Sequence, residues 1–388
     1  MNCRILNTKY ALIQGIYYII LCVLMSYGAL YLGKVGLRTG FIGIVIASAN
    51  IIATLAQPMI ARYIDQHHTP LASILLGMAM LCGGLSVVMF VIGQLPYLVA
   101  IIFALLSAMA ITMMPFINAL TFVFEEKGVV LNFGLSRGIG SVAYALMSLI
   151  LGYIVSRISP IYLPFVITIS SLGLLPILRG FQNDHVVSHQ EREKTSLISF
   201  LKRYKLFFLM LVGYILIYID HQLINTYMIY IVRNIGGNSV SMGIATFIAA
   251  FLELPGMVLF QKYKDKLNIS YVMIFAGIMY SIKHLLTLFA PNMTIFFIAQ
   301  MLQIFAFALF IPASVFYIDS FFDKKDATTG QALFTMSATI AGVIASVAGG
   351  LLIEVTSVHI TLFIFAVLSV VGSAILVSSI KCMNKVMK

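Results

Sequence analysis

Apolar segments of membrane-spanning length follow one another along almost the whole sequence, and they constrain the fold more than any other feature. A helix needs about 20 residues to cross roughly 30 Å of hydrocarbon. Twelve such segments can be counted, at residues 10–32, 40–62, 70–92, 96–122, 133–156, 160–179, 205–232, 239–261, 268–290, 294–321, 328–354 and 357–380. The sequence therefore predicts an all-α integral membrane protein with twelve transmembrane helices.

The composition agrees with this prediction. Hydrophobic residues make up 61% of the chain and charged residues 10%, whereas a soluble domain averages about 25% charged residues. No long stretch has globular composition, so no separate soluble domain is expected. Residues 11–32 are long enough to span and lack a convincing cleavage site, which argues against a removable signal peptide. No metal or redox spacing links Cys3, Cys22, Cys82 and Cys382, and we expect neither a metal nor a cofactor.

One polar stretch divides the twelve segments into two groups of six. It runs from Gly180 to Arg203, between the sixth and seventh segments. The predicted organisation is an N-terminal six-helix bundle at residues 1–179, a cytoplasmic linker at residues 180–203 and a C-terminal six-helix bundle at residues 204–388.

The placement of lysine and arginine predicts which side of the membrane each loop occupies. If both termini are inside, the basic residues assigned to the outer side are Lys34, Arg38, Arg157 and Arg233. Arg137 and Lys283 remain within the membrane, and all the other Lys and Arg fall on the inner side. We therefore predict a multi-pass protein of the plasma membrane with both termini in the cytoplasm. The net charge of +11 is interpreted as attraction to anionic inner-leaflet lipid, not as a nucleic-acid footprint.

The most informative polar residues of the first half lie in its fifth segment. Arg137, Ser141 and Tyr144 are spaced i, i+4 and i+7, so they share one face of a helix. A cation, a hydroxyl and an aromatic ring on one intramembrane face could hold a polar, ring-shaped solute. Gly134 and Gly138 would let a neighbouring helix approach closely. The alternative is that Arg137 snorkels to the headgroups and Tyr144 faces lipid.

Ionisable residues also lie deep in the segments of the second half. Asp220 is ~22 Å along its helix at 1.5 Å per residue, and Glu253 is about a dozen ångströms from the inner end of its own. Together with Arg137 and Lys283 these carboxylates sum to zero charge, which is how intramembrane charges are tolerated. The alternatives are a static ion pair for Asp220, outward snorkelling for Lys283 and a purely structural role for His284.

The two halves repeat each other's pattern. Residues 57–65 end the second segment much as residues 255–265 end the eighth, and an acidic–basic cluster precedes both the fifth and the eleventh segments. This pairing, with a large loop after six helices, resembles the major facilitator superfamily. The resemblance implies two six-helix bundles around a central cavity. It also places Asp65 at the superfamily's gating motif between the second and third helices, although Ala61 and Gln66 depart from that motif.

Within that superfamily the sequence resembles the lactose permease family of oligosaccharide–proton symporters. The run Phe133-Gly-x-x-Arg137-x-x-Gly140-x-Val142-x-Tyr144-Ala-Leu146 matches that family's Phe-Gly-x-x-Arg-x-x-Gly-x-Val-x-Trp-Ala-Leu. The resemblance implies that Arg137 binds sugar hydroxyls and that Tyr144 stacks on the sugar ring in place of Trp. Asn118 lies where the family has Glu, so galactoside specificity is not implied.

The resemblance extends to the second half. Asp220 and Asn225 resemble the Asp and Asn of the family's seventh helix, and Lys283 matches the Arg of its ninth. The family's tenth-helix His, Glu and Lys are replaced here by Gln303, Ala306 and Gln300. The proton site therefore cannot be carried over intact, and we expect Glu253 to carry the proton first and Asp220 second. The expected solute-binding residues are Asn118, Arg137, Ser141, Tyr144 and Asn225.

These features together predict a monomeric secondary transporter that moves a small polar solute by alternating access. Sugar or oligosaccharide symport with protons ranks first, a nucleoside or other polar solute second, and amphipathic drug efflux third. A multi-pass membrane enzyme would need a cluster of His, Asp or Cys near one surface, and His67 and His68 have only Asp65 beside them. The expected partners are the solute, protons and membrane lipids, without nucleic acid.

Overall fold

The computed structural model describes residues 3–93, 95–125, 131–181, 200 and 203–386, and the regular elements in these ranges are helices. The helices of the first half are α1 (Cys3–Leu21), α2 (Gly28–Lys34), α3 (Thr39–His67), α4 (Leu71–Val91), α5 (Pro96–Glu125), α6 (Phe133–Arg157) and α7 (Leu163–Arg179). Those of the second half are α8 (Lys205–Thr226), α9 (Met228–Asn234), α10 (Ser239–Tyr263), α11 (Ile269–Leu288), α12 (Met293–Met301), α13 (Phe307–Phe321), α14 (Lys324–Val355) and α15 (Val358–Val386). Single turns of other helix types lie at Cys22–Ser26 (π) and at Pro160–Tyr162, Lys264–Lys266 and Leu302–Ile304 (3₁₀).

Twelve helical stretches in the described residues are long and apolar enough to cross a membrane. They match the twelve predicted segments in number and order, which confirms the all-α membrane architecture. The first stretch begins at Ile5, earlier than the predicted residue 10. Many large apolar side chains are exposed along these helices, as expected where lipid rather than water covers the surface.

Two spans that were predicted to be continuous are interrupted, each at a buried tyrosine. Tyr27 follows the π-helical turn and separates α1 from α2, and Tyr227 separates α8 from α9. The Tyr27 hydroxyl donates to the carbonyl of Ser148 on α6 at 2.5 Å. The Tyr227 hydroxyl donates to the carbonyl of Ser346 on α14 at 2.6 Å. Each half therefore contains the same contact between its first and fifth spans, which we call the tyrosine clasp.

The repeat continues after each clasp. The short helices α2 and α9 lead into Gly36 and Gly236, whose φ angles are 103° and 82°. Glycine reaches such angles without a Cβ clash, so both positions can turn the chain out of the short helix. The next long helices, α3 and α10, begin a few residues later at Thr39 and Ser239. The similarity of the two halves is therefore visible in backbone geometry as well as in sequence.

The chain divides into two compact units, Met1–Gln190 and Glu191–Lys388. This boundary lies inside the predicted linker, most of which (residues 182–199, 201 and 202) falls outside the described residues. In the first unit α1 packs against α6 and α7, α4 against α7, and α3 against α5. In the second unit α8 packs against α14 and α15, and α11 packs against α13 and α15.

The contact between α8 and α15 is close because two glycines meet there. A Cβ on Gly213 would lie 2.8 Å from the Gly372 carbonyl oxygen, and one on Gly372 would lie 2.7 Å from that of Gly213. Small residues at a crossing let two helix backbones approach closely within a membrane. This packing holds Asp220 on α8 and Ser369 on α15 against the same neighbour, α11.

A polar contact at the ends of two spans holds the start of α8. The Tyr204 hydroxyl donates to Asp326 Oδ2 at 2.7 Å, and Arg203 Nη1 lies 3.6 Å from the same oxygen. Burial and the adjacent carboxylate raise the pKa of the Tyr204 phenol. The contact ties the beginning of α8 to the beginning of α14.

Candidate functional site

Arg137 is the central polar residue of the first unit. It lies on α6, is half-buried, and its guanidinium carbon is 4.7 Å from the centre of the Tyr18 ring on α1. A cation over an aromatic face gains electrostatic attraction, most of all where water is excluded. Arg137 thus packs on a neighbouring helix of its own unit, which differs from the snorkelling alternative.

Tyr144 reaches the same aromatic group from the next turns of α6. Its ring meets the Tyr18 ring edge to face, with centroids 6.4 Å apart. Its hydroxyl lies 2.6 Å from Ser26 Oγ in the π-helical turn. The structure therefore brings Arg137 and Tyr144 into contact with one shared partner, Tyr18. Ser141, which lies between them in the sequence, is half-buried.

Asn118 belongs to a second group of polar side chains in this unit. Its Oδ1 accepts a hydrogen bond from Gln14 Nε2 at 3.2 Å, and the same nitrogen donates to the Tyr10 hydroxyl at 2.8 Å. Gln14 is fully buried, and its carbonyl oxygen has no hydrogen-bond partner among the described residues. The Gln14 carbonyl oxygen can therefore accept a hydrogen bond from a hydroxyl group inside the apolar core of the unit.

Sequence reasoning missed the contribution of α1 to both groups. Tyr10, Gln14 and Tyr18 are spaced four residues apart, so they lie on one face of the helix. That spacing within an apolar segment could have predicted a polar face on α1, just as the spacing of Arg137, Ser141 and Tyr144 predicted one on α6. The partners that α1 supplies depend on packing between helices, which the spacing alone does not determine.

In the second unit, Gln303 connects the basic side chain of Lys283 with the acidic side chain of Glu253. Lys283 Nζ donates to Gln303 Oε1 at 2.5 Å, and Gln303 Nε2 donates to Glu253 Oε1 at 2.8 Å. Lys283 is completely buried, so outward snorkelling is wrong for this residue. The 3₁₀ turn at Leu302–Ile304 carries Gln303 into this bridge, whose ends come from α11 and α10.

Asp220 pairs with a histidine that the sequence marked as structural. His284 Nδ1 lies 3.4 Å from Asp220 Oδ2 and 2.7 Å from Ser369 Oγ, and all three residues are fully buried. A ladder of hydroxyls continues from Ser369, whose Oγ is 3.2 Å from that of Ser281. Ser281 Oγ is in turn 2.6 Å from Ser373 Oγ. The pair Asp220–His284 therefore opens onto groups that can both donate and accept protons.

Asn225, expected to bind solute, lies one turn beyond on the same helix. Its Nδ2 is 3.1 Å from His221 Nε2, and the His221 ring stacks on Phe307 with centroids 5.5 Å apart. His221 is fully buried, whereas Asn225 is half-buried. Asp65, the expected gating residue, is exposed near the end of α3, in the other unit.

A cavity of about 230 Å³ lies near the end of α11 that follows Lys283 and His284. Its lining includes Thr287 and Leu288 of α11, Asn234 of α9 and His359 of α15. Thr287 is one helical turn from Lys283, and its hydroxyl is buried without a partner among the described residues. Within the same residues, no three His, Cys, Asp or Glu side chains are grouped to hold a metal ion.

Comparisons with known proteins agree on one class of protein. The sequence matches the MFS_1 like family over residues 8–365. The transporter YwbF of Bacillus subtilis (strain 168), itself uncharacterised, is 23% identical over 278 residues, which are 70% of this chain and 68% of the relative. A maltose permease of Geobacillus stearothermophilus is 21% identical over 338 residues, or 86% of this chain and 84% of the relative.

Solved transporter structures share the fold. A mutant of the nucleoside transporter NupG superposes with a TM-score of 0.83 at 13% identity, covering 96% of this chain and 99% of that one. A bacterial homologue of the iron transporter ferroportin, in an inward-facing state, gives a TM-score of 0.78 at 13% identity, covering 98% and 100%. At these identities the likeness concerns the fold alone.

Proposed function

The chain belongs to the MFS_1 like family of transporters, and from that premise we propose that it carries a sugar or oligosaccharide across the membrane together with protons. It is a multi-pass membrane transporter and not a membrane enzyme, as its family and its relatives establish. We propose a sugar as the solute and the proton as the coupling ion. Transport would proceed by alternating access.

The arrangement around Tyr18 is the observation that supports a sugar. Sugars present hydroxyls around the edge of a ring and C–H groups on its faces, so they are bound by hydrogen-bonding groups beside aromatic faces. Arg137 and Tyr144 meet at Tyr18, and the planar guanidinium can hold two hydroxyls at once. Asn118 and Gln14 add amide groups. A relative named as a maltose permease is consistent with a glucose disaccharide.

The second unit supports the coupling to protons. Asp220, Glu253 and Lys283 are ionisable groups within membrane spans, where charged side chains are costly and mark ion or proton pathways. Gln303 joins two of them by hydrogen bonds. Asn225 Nδ2 lies within hydrogen-bonding distance of His221, which follows Asp220 on α8. We propose that Asn225 contacts the solute.

A nucleoside is the second candidate, because the rings of Tyr18 and Tyr144 could also stack a planar base. We further propose that both termini lie in the cytoplasm of a plasma-membrane protein and that Asp65 acts in gating. The chain is proposed to work as a monomer in contact with lipid.

Transport in proteoliposomes tests the function directly. The purified full chain should take up radiolabelled maltose when the outside is acidic, and a protonophore should abolish accumulation but not exchange. Unlabelled disaccharides should compete, whereas uridine should not. Uptake of radiolabelled uridine without uptake of maltose would favour the nucleoside. Uptake of maltose that ignores the pH gradient would contradict proton coupling but leave the sugar assignment in place.

A further inference from the structure

We propose that Asp220 and His284 form the proton-binding site of this transporter, with the proton resting on the Asp220 carboxyl and passing to His284 on release. The inference deepens the proton coupling proposed above and rests on it. It differs from the expectation drawn from the sequence, which ranked Glu253 first. In the structure Glu253 has a different task, because it is joined through Gln303 to Lys283.

The second unit buries the basic side chain of Lys283 near two carboxyl groups, those of Glu253 and Asp220. Lys283 is completely buried and interacts electrostatically with both Glu253 and Asp220. One cation balances one carboxylate, and the bridge through Gln303 identifies Glu253 as the carboxylate that remains ionised. A second negative charge in the membrane interior would cost several kcal/mol. The Asp220–His284 pair must therefore carry one proton in order to be neutral.

Geometry indicates which member of the pair holds that proton. The Asp220 oxygens accept no hydrogen bond among the described residues, and the contact with His284 Nδ1 is 3.4 Å. Charge-assisted hydrogen bonds are about 2.7–2.9 Å long, and a buried ion pair is stable only when its geometry is good and its lone pairs are satisfied. An Asp220 carboxylate facing an imidazolium meets neither condition. The resting form is therefore a protonated carboxyl beside a neutral imidazole.

The surroundings of His284 suit a transient acceptor. Ser369 Oγ lies 2.7 Å from Nδ1, and a hydroxyl can donate to a neutral imidazole or accept from a charged one. Ser281 and Ser373, which follow Ser369 in the hydroxyl ladder, can reorient in the same way. When the proton moves, the O–H bond of Asp220 breaks and an N–H bond forms on His284, so the pair stays neutral throughout.

The buried cation Lys283 disfavours a positive charge on its neighbour His284. Lys283 precedes it on α11, and the His221 ring of α8 lies 6.4 Å away. The Tyr280 ring is 5.8 Å away. A positive charge on His284 would be repelled by Lys283 in a region of low dielectric, which makes the imidazolium short-lived.

The cavity at the end of α11 offers a route for the proton. Thr287 lines it and lies three residues after His284, or ~5 Å along the helix. The volume of about 230 Å³ is large enough for several water molecules. His284 is thus one helical turn from a space that water can occupy, whereas Asp220 is enclosed.

Infrared spectroscopy of the full chain in liposomes tests the proposal without any solute. A protonated carboxylic acid has a carbonyl stretch that shifts in D₂O, and a carboxylate has none in that region. We expect this band in the wild type at neutral pH and its complete loss in Asp220→Asn. We expect it to remain at wild-type intensity in the double variant Glu253→Gln/Lys283→Gln, which removes one carboxylate together with the cation that it balances. Asp319→Asn is the matched control, because Asp319 is an exposed aspartate on α13.

The acceptor role of His284 has its own readout. His284→Gln should retain the band but slow its shift in D₂O by about tenfold or more, because the group that takes the proton is missing. Loss of the band in the Glu253→Gln/Lys283→Gln double variant, its survival in Asp220→Asn, or its absence from the wild type would overturn the proposal. If the band of His284→Gln shifts in D₂O as fast as that of the wild type, His284 does not take the proton from Asp220, and the proposed pair is wrong. A chain that carries no maltose would still give these spectra, so the proton site and the sugar assignment can fail separately.

Discussion

At the scale of single residues, Tyr144 has a ring and a hydroxyl with separate partners. The ring meets Tyr18, and the hydroxyl contacts Ser26. If the ring stacks on the solute, Tyr144→Ala should weaken maltose binding by about 0.5–1.5 kcal/mol, or roughly 2- to 10-fold, whereas Tyr144→Phe should bind nearly as well. Isothermal titration measures both. Tyr153→Ala is the control, since Tyr153 is an exposed tyrosine on the same helix, and an equal loss there would contradict stacking.

Gln300 and Gln303 are two buried glutamines of the tenth span with opposite expected behaviour. Gln303 bridges Lys283 and Glu253, so Gln303→Leu leaves charged groups without those bonds and should cost about 2 kcal/mol or more. Both amide atoms of Gln300 are buried without a partner among the described residues. Gln300→Leu should therefore be neutral or stabilising. Thermal unfolding in detergent distinguishes them, and equal shifts in Tm would contradict the bridge.

At the scale of helices, the tyrosine clasps make a symmetrical prediction. Tyr27→Phe and Tyr227→Phe each remove one hydroxyl-to-carbonyl bond between a first and a fifth span. Each should lower the free energy of unfolding by about 0.5–1.5 kcal/mol, and the losses should add because the sites are in separate units. Tyr31→Phe, whose buried ring stacks on Phe103, is the control. A loss from one clasp alone would contradict their equivalence.

The helices also show how much of the structure could be predicted from the sequence. The spans were predictable because hydropathy and length are properties of the segment itself. The interruptions at Tyr27 and Tyr227 were not, because both segments stay apolar and contain no proline at those positions. The stripe of Arg137 and Tyr144 follows from helical spacing within α6. Partners on other helices, such as Tyr18 or His284, depend on packing, which spacing within one helix does not specify.

At the scale of the whole molecule, the two buried carboxylates should behave differently in transport. Asn at position 220 mimics the protonated acid, so Asp220→Asn should allow maltose exchange but abolish accumulation driven by a pH gradient. Glu253→Gln should instead leave Lys283 without its carboxylate and cost about 3–5 kcal/mol of stability. Uptake and exchange in one proteoliposome preparation measure the first effect, and thermal unfolding measures the second. The opposite pattern, with coupling lost only in Glu253→Gln, would return the proton to Glu253.

The orientation of the chain is also a property of the whole molecule, and the distribution of basic residues predicts it. An even number of spans, such as the twelve found among the described residues, places both termini on one side. Loops rich in Lys and Arg remain in the cytoplasm. Lys266, in the turn after α10, should therefore face inward, whereas the exposed Lys34 and Arg233 should face outward. Single cysteines at these three positions, labelled with a membrane-impermeant maleimide, distinguish the two sides.

The labelling needs a background without native thiols. Cys382 is exposed and would react, whereas Cys22 and Cys82 are buried, so all native cysteines including Cys3 are replaced first. In intact cells the Lys34→Cys and Arg233→Cys variants should be labelled, and Lys266→Cys should react only after the membrane is permeabilised. One reversed site would contradict the predicted side of that loop alone. Reversal of all three sites would contradict the predicted placement of both termini in the cytoplasm.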